Sequence, residues 1–275
     1  RIRKEDMFIE FGGQRTPAFE WVRMKELDEI EDNKVTIVGE NWKERFEKGG
    51  QMPLGIVIDV AGRKMQKDFE SIIERKIHHN LNEAQGLWHM GQRDLNWIRI
   101  SNNAKKDGLT LEHIGVVQAT MSHHRFKSIV DKVQVTIYVD EKDVLAIQEE
   151  ARKAYKERDH RLGNLTDEAV DTFYSCLLCQ SFAPSHVCVI SPERLGLCGA
   201  YNWLDGKVAF EIDPTGGNQP IAKGDLLDAR FGRYVGIDDY LKKASGGAVE
   251  TLNLYTIMEN PMTSCGCFEC IVAII

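Results

Sequence analysis

Residues 133–140 read VQVTIYVD, and this stretch decides how the first half of the chain is to be understood. β-Branched residues fill most of it, which suits a pleated, half-buried strand and disfavours a helix. The next residues, EKDVLAIQEEARKAYKERDHRLGNL (141–165), change period at once. Val144, Ile147, Ala151, Ala154 and Tyr155 recur at spacings of three and four, giving one apolar helical face. Lys and Arg gather in the second half of that helix, where they complement its C-terminus, and Gly163-Asn164 ends it.

The same contrast of periods runs toward the N-terminus. MFIEF (7–11), FEWVRM (19–24), KVTIVG (34–39), LGIVIDV (54–60) and LNWIRIS (95–101) read as strands between Gly and Asn turn signals. Residues 67–90 read as one helix on the stripe Phe69, Ile72, Ile73, Ile77, Leu81 and Ala84, and 111–129 as another. Beyond the central helix, Thr166 with Asp167 and Glu168 is expected to start a further helix running into Phe173. The expected fold class is α+β with mixed α/β character, in several domains. A mixed sheet with flanking helices forms an α+β middle domain over 1–150, and 151–165 is a helical linker. Residues 166–275, richer in Gly, Pro and Cys, form a loop-rich metal-cluster domain, C-terminally incomplete and packed around something other than apolar side chains.

Bulk composition removes several functions. At 43% apolar and 28% charged residues, the chain is ordinary for a soluble globular protein. A net charge of −7 argues against nucleic-acid binding, which needs a basic face. No apolar run approaches the roughly 18 residues of a membrane span, so no membrane partner is expected. The opening RIRKEDMFIEFGG has no apolar core behind its basic residues, so no secretory signal is visible and a cytoplasmic location is expected. The chain lacks an initiating Met and stops on CIVAII; both ends look cut, as for an internal portion of a longer polypeptide.

All seven cysteines lie at or beyond Cys176. An odd, clustered set without a signal peptide does not suit a secreted disulfide framework, and in a reducing cytosol it points to metal. Cys176, Cys179, Cys188 and Cys198 have the spacing x2, x8, x9 within SCLLCQSFAPSHVCVISPERLGLCG. Four thiolates so close suit a tetrahedral zinc or a cubane iron–sulfur cluster. TSCGCFEC (263–270) is stranger, because it sets Cys265 and Cys267 one glycine apart. A disulfide there is strained, and zinc ligands prefer wider pairs. Two thiolates with the backbone nitrogens of Gly266 and Cys267 instead make a planar, strongly donating set suited to Ni(II) or Cu(II). Their sulfurs keep lone pairs with which to bridge a second metal.

YSCLLCQSFAPSHVCVISPERLGLCGAYNWLDG (174–206) and ENPMTSCGCFECIVAI (259–274) resemble the CO-methylating acetyl-CoA synthases, the nickel subunit of the carbon monoxide dehydrogenase/acetyl-CoA synthase complex. DEIEDNKVTIVG and IHHNLNEAQGLWHMGQRDLNWIRIS extend the resemblance over essentially the whole chain, closest to the bacterial form. It implies a 4Fe–4S cluster on Cys176, Cys179, Cys188 and Cys198, with Cys179 bridging to a proximal nickel. Cys265 and Cys267 then link that ion to a distal nickel held by their sulfurs and the nitrogens of Gly266 and Cys267, while Cys270 is not a ligand. The implied enzyme is an acyltransferase of anaerobic carbon fixation by the Wood–Ljungdahl pathway. It makes acetyl-CoA from CO, CoA and the methyl group of a methyl-corrinoid iron–sulfur protein. The carbon monoxide dehydrogenase subunit is the implied partner, with ferredoxin a further one. The family also continues at both ends, so the activity is expected of the longer enzyme rather than of this length alone.

Further candidates follow. Phe182 is placed to wall the open side of the proximal nickel, with a plain core aromatic as the alternative. Trp97 falls on a strand and resembles a family residue near the cluster, although a buried strand Trp needs no function. Trp88, Arg93 and Arg99 suit CoA, by stacking on adenine and pairing with phosphate. His186 is placed to hydrogen-bond a cluster sulfur. His78-His79 and His123-His124 read as surface or supporting residues, since neighbours on a helix point about 100° apart. DPTGGNQP (213–220) reads as a turn. An electron-transfer iron–sulfur protein using only the first four cysteines, or a structural zinc module, are the alternative functions.

Overall fold

The computed structural model describes residues 2–199 and 201–255. Contacts divide the chain into two compact units, Arg1–His160 and Arg161–Ile275. Both carry helices beside mixed or antiparallel sheets, so the fold class is α+β.

The first unit holds eight strands among the described residues: β1 (Met7–Gly12), β2 (Ala18–Met24), β3 (Val35–Val38), β4 (Gly50–Met52), β5 (Leu54–Ala61), β6 (Leu87–Gln92), β7 (Leu95–Ser101) and β8 (Lys132–Tyr138). One sheet has the order β4-β1-β7-β6 and the other β2-β5-β8-β3. In the second, β2 and β5 run parallel, β8 runs antiparallel to β5, and β3 runs parallel to β8. Parallel neighbours need covered faces, and β5 is accordingly buried along its whole length. Its helices are α1 (Trp42–Lys48), α2 (Glu70–Ile77), α3 (Asn102–Lys106), α4 (Leu111–Phe126) and α5 (Glu141–Gly163), within which the unit ends. Val144, Ala151 and Tyr155 of α5 cover Phe19, Trp21 and Val57, as the apolar stripe predicts.

The run read as one helix over 67–90 is corrected. A 3-10 turn at Lys67–Phe69 leads into α2, which stops at Ile77, and a second 3-10 turn spans Asn80–Glu83. His78, His79 and Asn80 are weak helix formers. The Asn82 side chain then grips the backbone of His89 in both directions, donating to its carbonyl at 2.9 Å and accepting from its N–H at 2.9 Å. Gly86 turns the chain at φ +81°, where a Cβ would meet that of Ala104 at 2.4 Å. Residues 87–92 then alternate as a strand, with Leu87 and His89 buried.

The second unit holds β9 (Thr172–Cys176), β10 (Cys188–Ile190), β11 (Pro220–Ala222), β12 (Leu226–Asp228) and β13 (Arg233–Tyr234), with α6 (Trp203–Ile212) and α7 (Val235–Ala244). β9 is the centre of an antiparallel sheet, β10-β9-β11. The helix expected from Thr166 into Phe173 is only a 3-10 turn, Asp167–Ala169. Asp167 is buried in an ion pair with Arg194, and Lys223 Nζ caps the carbonyls of Asp167 and Val170 at 2.8 and 2.7 Å. Phe173 is thereby delivered to β9, where pairing on both sides overrides local preference. The expectation that this unit packs around something other than apolar side chains is also corrected. Phe173, Val187, Val189, Ile221, Tyr234, Ile237, Leu241, Leu252 and Leu254 form one buried cluster. Gly206 lets α6 lie close on β9, since a Cβ there would stand 2.7 Å from that of Tyr174. No helix among the described residues is long and apolar enough to cross a membrane.

Candidate metal centre

Cys176 closes β9 and Cys188 opens β10, and the antiparallel register sets the two directly opposite each other. Both are buried beside Ile190, with Leu197, Tyr201 and Trp203 packed around them. Trp203 Nε1 donates to the Thr172 carbonyl at 2.9 Å and fixes that wall. Cys179 lies on the 3-10 turn Leu178–Ser181 and is half-buried; Cys198 is exposed. None of these four thiols is in a disulfide.

Two sulfurs have nitrogen neighbours. The Nε2 of His186 stands 3.1 Å from Cys188 Sγ, with both residues buried. Beside Cys176, the backbone N–H of Leu178 and the side-chain amide of Asn218 favour its thiolate form. Asn218 is held in place by its own donation to the Ser175 carbonyl at 3.0 Å. Burial pushes the Cys176 thiol above its ordinary value; the Leu178 N–H opposes that, and the thiols of Cys179 and Cys198 add to it. Cys179 and Cys198 are thus electrostatic neighbours of Cys176, and Cys188 faces it across the β9–β10 pair. Burial lowers the pKa of His186, disfavouring its cation.

Among the described residues, no three His, Cys, Asp or Glu side chains group closely enough to hold a single ion. A cubane is a larger body and keeps its cysteine sulfurs further apart than one ion does. The donor set fits such a group: soft thiol ligands, gathered, outside disulfides, with nitrogen groups beside two of the sulfurs. Cys265, Gly266, Cys267 and Cys270 lie outside the described residues, so the Cys-Gly-Cys expectation is neither met nor opposed.

Phe182 follows the Cys179 turn, its N–H on the Cys179 carbonyl at 3.1 Å, and its ring is 79% exposed. It is thus not a core aromatic. In the first unit, Trp88 and Trp97 meet edge-to-face at 5.2 Å, and the Arg99 guanidinium lies over both rings at 5.4 and 4.6 Å. Arg99 also donates to Glu10 Oε2 at 2.7 Å and to the Ile2 carbonyl at 2.9 Å. Arg93 stands elsewhere, at φ +59°, gripping Glu74 at 2.7 Å and Asp159 at 2.7 and 2.6 Å. His78 and His79 touch, with ring centroids 3.6 Å apart, because neither stands inside a helix. His123 pairs with Asp32 at 2.6 Å. The 213–220 stretch is a turn as expected, with Asp213 Oδ1 accepting from Thr215.

Residues 1–144 match the family model of the CO dehydrogenase/acetyl-CoA synthase complex beta subunit, and 155–275 match that of the C-terminal part of the ACS/CODH beta subunit. The chain belongs to this family. It is 52% identical to the carbon monoxide dehydrogenase/acetyl-CoA synthase subunit alpha of Moorella thermoacetica, over all of this chain and 37% of that protein. It is 45% identical to an acetyl-CoA decarbonylase/synthase complex subunit beta 1 of Methanosarcina acetivorans, over 98% of this chain and 57% of that one. With the subunit beta of Methanopyrus kandleri the identity is 43%, over 99% and 58%. The chain thus spans well under two thirds of these acetyl-CoA synthase relatives. Asn218 was missed as a site residue because DPTGGNQP reads only as a turn; no spacing signal marks it out.

Proposed function

We propose that this chain carries the metal-cluster portion of an acetyl-CoA synthase, an acyltransferase joining CO, a corrinoid-borne methyl group and CoA. The observation that supports this is the gathering of Cys176, Cys179, Cys188 and Cys198 around the β9–β10 end, with nitrogen neighbours at two of the sulfurs, in a member of this family. Bound there, a 4Fe–4S cluster with a proximal and a distal nickel supplies a soft, electron-rich centre for CO and the methyl group.

The chain's own residues do the rest. The four thiols would hold the cluster, and the half-buried Cys179 would also serve as a ligand to the proximal nickel. Cys265 and Cys267, with the Gly266 and Cys267 nitrogens, would hold the nickel pair. Phe182, exposed beside Cys179, walls the open side. Trp88 and Trp97 offer faces to the CoA adenine, and Arg99 lies beside them as the phosphate partner. Arg93 reaches CoA only by releasing Glu74 and Asp159. The same reading takes the protein to be cytoplasmic, divides it at about residues 150–165, and gives it the carbon monoxide dehydrogenase subunit, a methyl-corrinoid protein and ferredoxin as partners.

Metal analysis of the anaerobically purified full-length enzyme is the test. About four irons and up to two nickels per chain are expected. Cys267→Ala should keep the iron while losing nickel and acetyl transfer. Nickel and activity that survive the substitution would refute the pair's role. Iron without nickel, and no acetyl transfer after nickel is added, would favour an electron carrier; zinc alone would favour a structural module.

A further inference from the structure

We infer that His186 and Asn218 are positioning residues that set the electron density on the sulfurs of Cys188 and Cys176, and through them the reduction potential of the bound cluster. The inference rests on the cluster reading above and adds residues to it. Its starting point is where the protein spends its buried donors. His186 and Asn218 are 7% and 5% exposed, and so are cut off from water. His186 Nε2 stands 3.1 Å from Cys188 Sγ, where it donates once that sulfur is a proton-free ligand, and the Asn218 amide, held on the Ser175 carbonyl, favours the neighbouring Cys176 thiolate. A neutral thiol is a weak acceptor, and a buried donor spent on one gains little. A thiolate ligating a metal is a strong, charged acceptor, and the same N–H then gains about twice as much.

The donors are also held in place independently of the sulfurs. The His186 backbone N–H closes a turn on the Ala183 carbonyl at 2.9 Å, which holds its ring over Cys188. Asn218 is tied to Ser175, and its neighbour Gln219 takes the Ser175 hydroxyl at 3.0 Å. The two donors thus come from two separate segments, the 183–186 turn and the 213–220 turn, and converge on facing residues of β9 and β10. The backbone N–H of Leu178 favours the Cys176 thiolate as well. Hydrogen bonds to ligand sulfurs draw electron density away from the metal and stabilise the reduced cluster, raising its potential.

The experiment compares the anaerobic full-length enzyme with His186→Phe, His186→Gln and Asn218→Ala, reading iron content and the potentiometric titration of the cluster's paramagnetic signal. His186→Phe keeps a ring in the space and removes the donor. With iron content unchanged, its midpoint should move to more negative potential. At a fixed solution potential, the reduced-to-oxidised ratio should fall by up to about tenfold, equivalent to about 59 mV for one electron. His186→Gln restores an N–H and should recover much of the shift; Asn218→Ala should shift the midpoint in the same direction. Full iron with an unmoved midpoint in both His186→Phe and Asn218→Ala would overturn the inference and leave the two as packing residues. If His186→Phe does not fold, the other two substitutions decide. A wild-type enzyme that holds no iron would refute the cluster reading itself, an outcome separate from an unmoved midpoint.

Discussion

The buried charges of the first unit and the buried thiols of the second are partnered in opposite ways, although the second unit also encloses an ion pair, Arg194 with Asp167. In the first, charge answers charge. Arg158 of α5, fully enclosed, is paired with Glu74 and Glu70 and donates to the Val22 carbonyl at 2.9 Å. Arg93 joins the same Glu74, and His89 of β6 meets Glu20 of β2 at 3.0 Å with both side chains sealed off. In the second, the described partners of the buried thiols are nitrogen groups of His186, Asn218 and Leu178. The first arrangement is complete within its own unit and ties α2, α5 and the strands together. Around the thiols the second offers nitrogen partners suited to a sulfur that has lost its proton, an arrangement that a cation displacing the thiol protons would complete. A structural network and a binding site are told apart by what completes them.

The largest effect should come from breaking the complete network. Arg158→Ala leaves Glu74 and Glu70 buried without their principal cation, and losing one partner of such a pair costs about 3–5 kcal/mol. Urea unfolding of the first unit, followed at equilibrium, checks this. A loss below about 1 kcal/mol would mean that water reaches the carboxylates once the arginine is gone.

A somewhat smaller loss is expected in the second unit, and it asks whether that unit stands without metal. Leu241 on α7 is fully enclosed in the apolar cluster with Phe173 and Ile237. Leu241→Ala should cost about 2–5 kcal/mol by lost burial and the cavity left behind. The measurement belongs on the metal-free protein. A loss in that range shows the apolar core carrying the fold, so that the thiols are free to serve a ligand. No loss would show a unit that is folded by its metal, and the contrast between the two regions would then be one of stability as well as of chemistry.

How far the sequence spoke differs between the units for a related reason. Every strand read in the first part, from MFIEF to VQVTIYVD, is a strand in the structure, because period-two apolar patterns and sheet burial coincide there. The 67–90 stretch misled because Leu81 and Ala84 keep the helical spacing after the helix has ended at Ile77. What ends it is the Asn82 side chain on a backbone seven residues away, which no local pattern reveals. In the second part α6 and α7 were not read at all. Both are short, ten residues each, and α6 carries Gly206 against β9. A signal did exist: Asn202-Trp-Leu-Asp205 is a reciprocal cap, with the Asn202 side chain accepting at 2.8 Å and that of Asp205 at 2.9 Å. The spacing of the first four cysteines marked where chemistry gathers, and the donors that serve them split by context. His186 stood out by lying between two cysteines, whereas Asn218 arrives through strand pairing and had no local mark.

The smallest effect, and the subtlest test of charge answering charge, is the pH dependence of the His89–Glu20 pair. Burial alone disfavours the His89 cation, but the Glu20 carboxylate outweighs it, helped by the His78 backbone and the Asn96 side chain, and the pKa of His89 is raised. The folded state therefore holds this proton to higher pH than the unfolded chain, whose histidines titrate near about 6.5. The pair's contribution is fully present below that value and is lost as pH rises through the raised folded pKa. With one proton involved, the slope cannot exceed about 1.4 kcal/mol per pH unit. His79 works the other way. Burial, then the neighbouring His78 and Arg125, lower its pKa, so its contribution falls as pH drops, and its exposure keeps that weight small. Urea midpoints of the wild type and His89→Gln, measured from about pH 6 to about pH 9, isolate the pair. The wild-type advantage should shrink as pH rises. An advantage that stays flat or grows would mean that His89 is neutral in the fold, and the first unit would then hold an uncompensated carboxylate where a closed network is drawn.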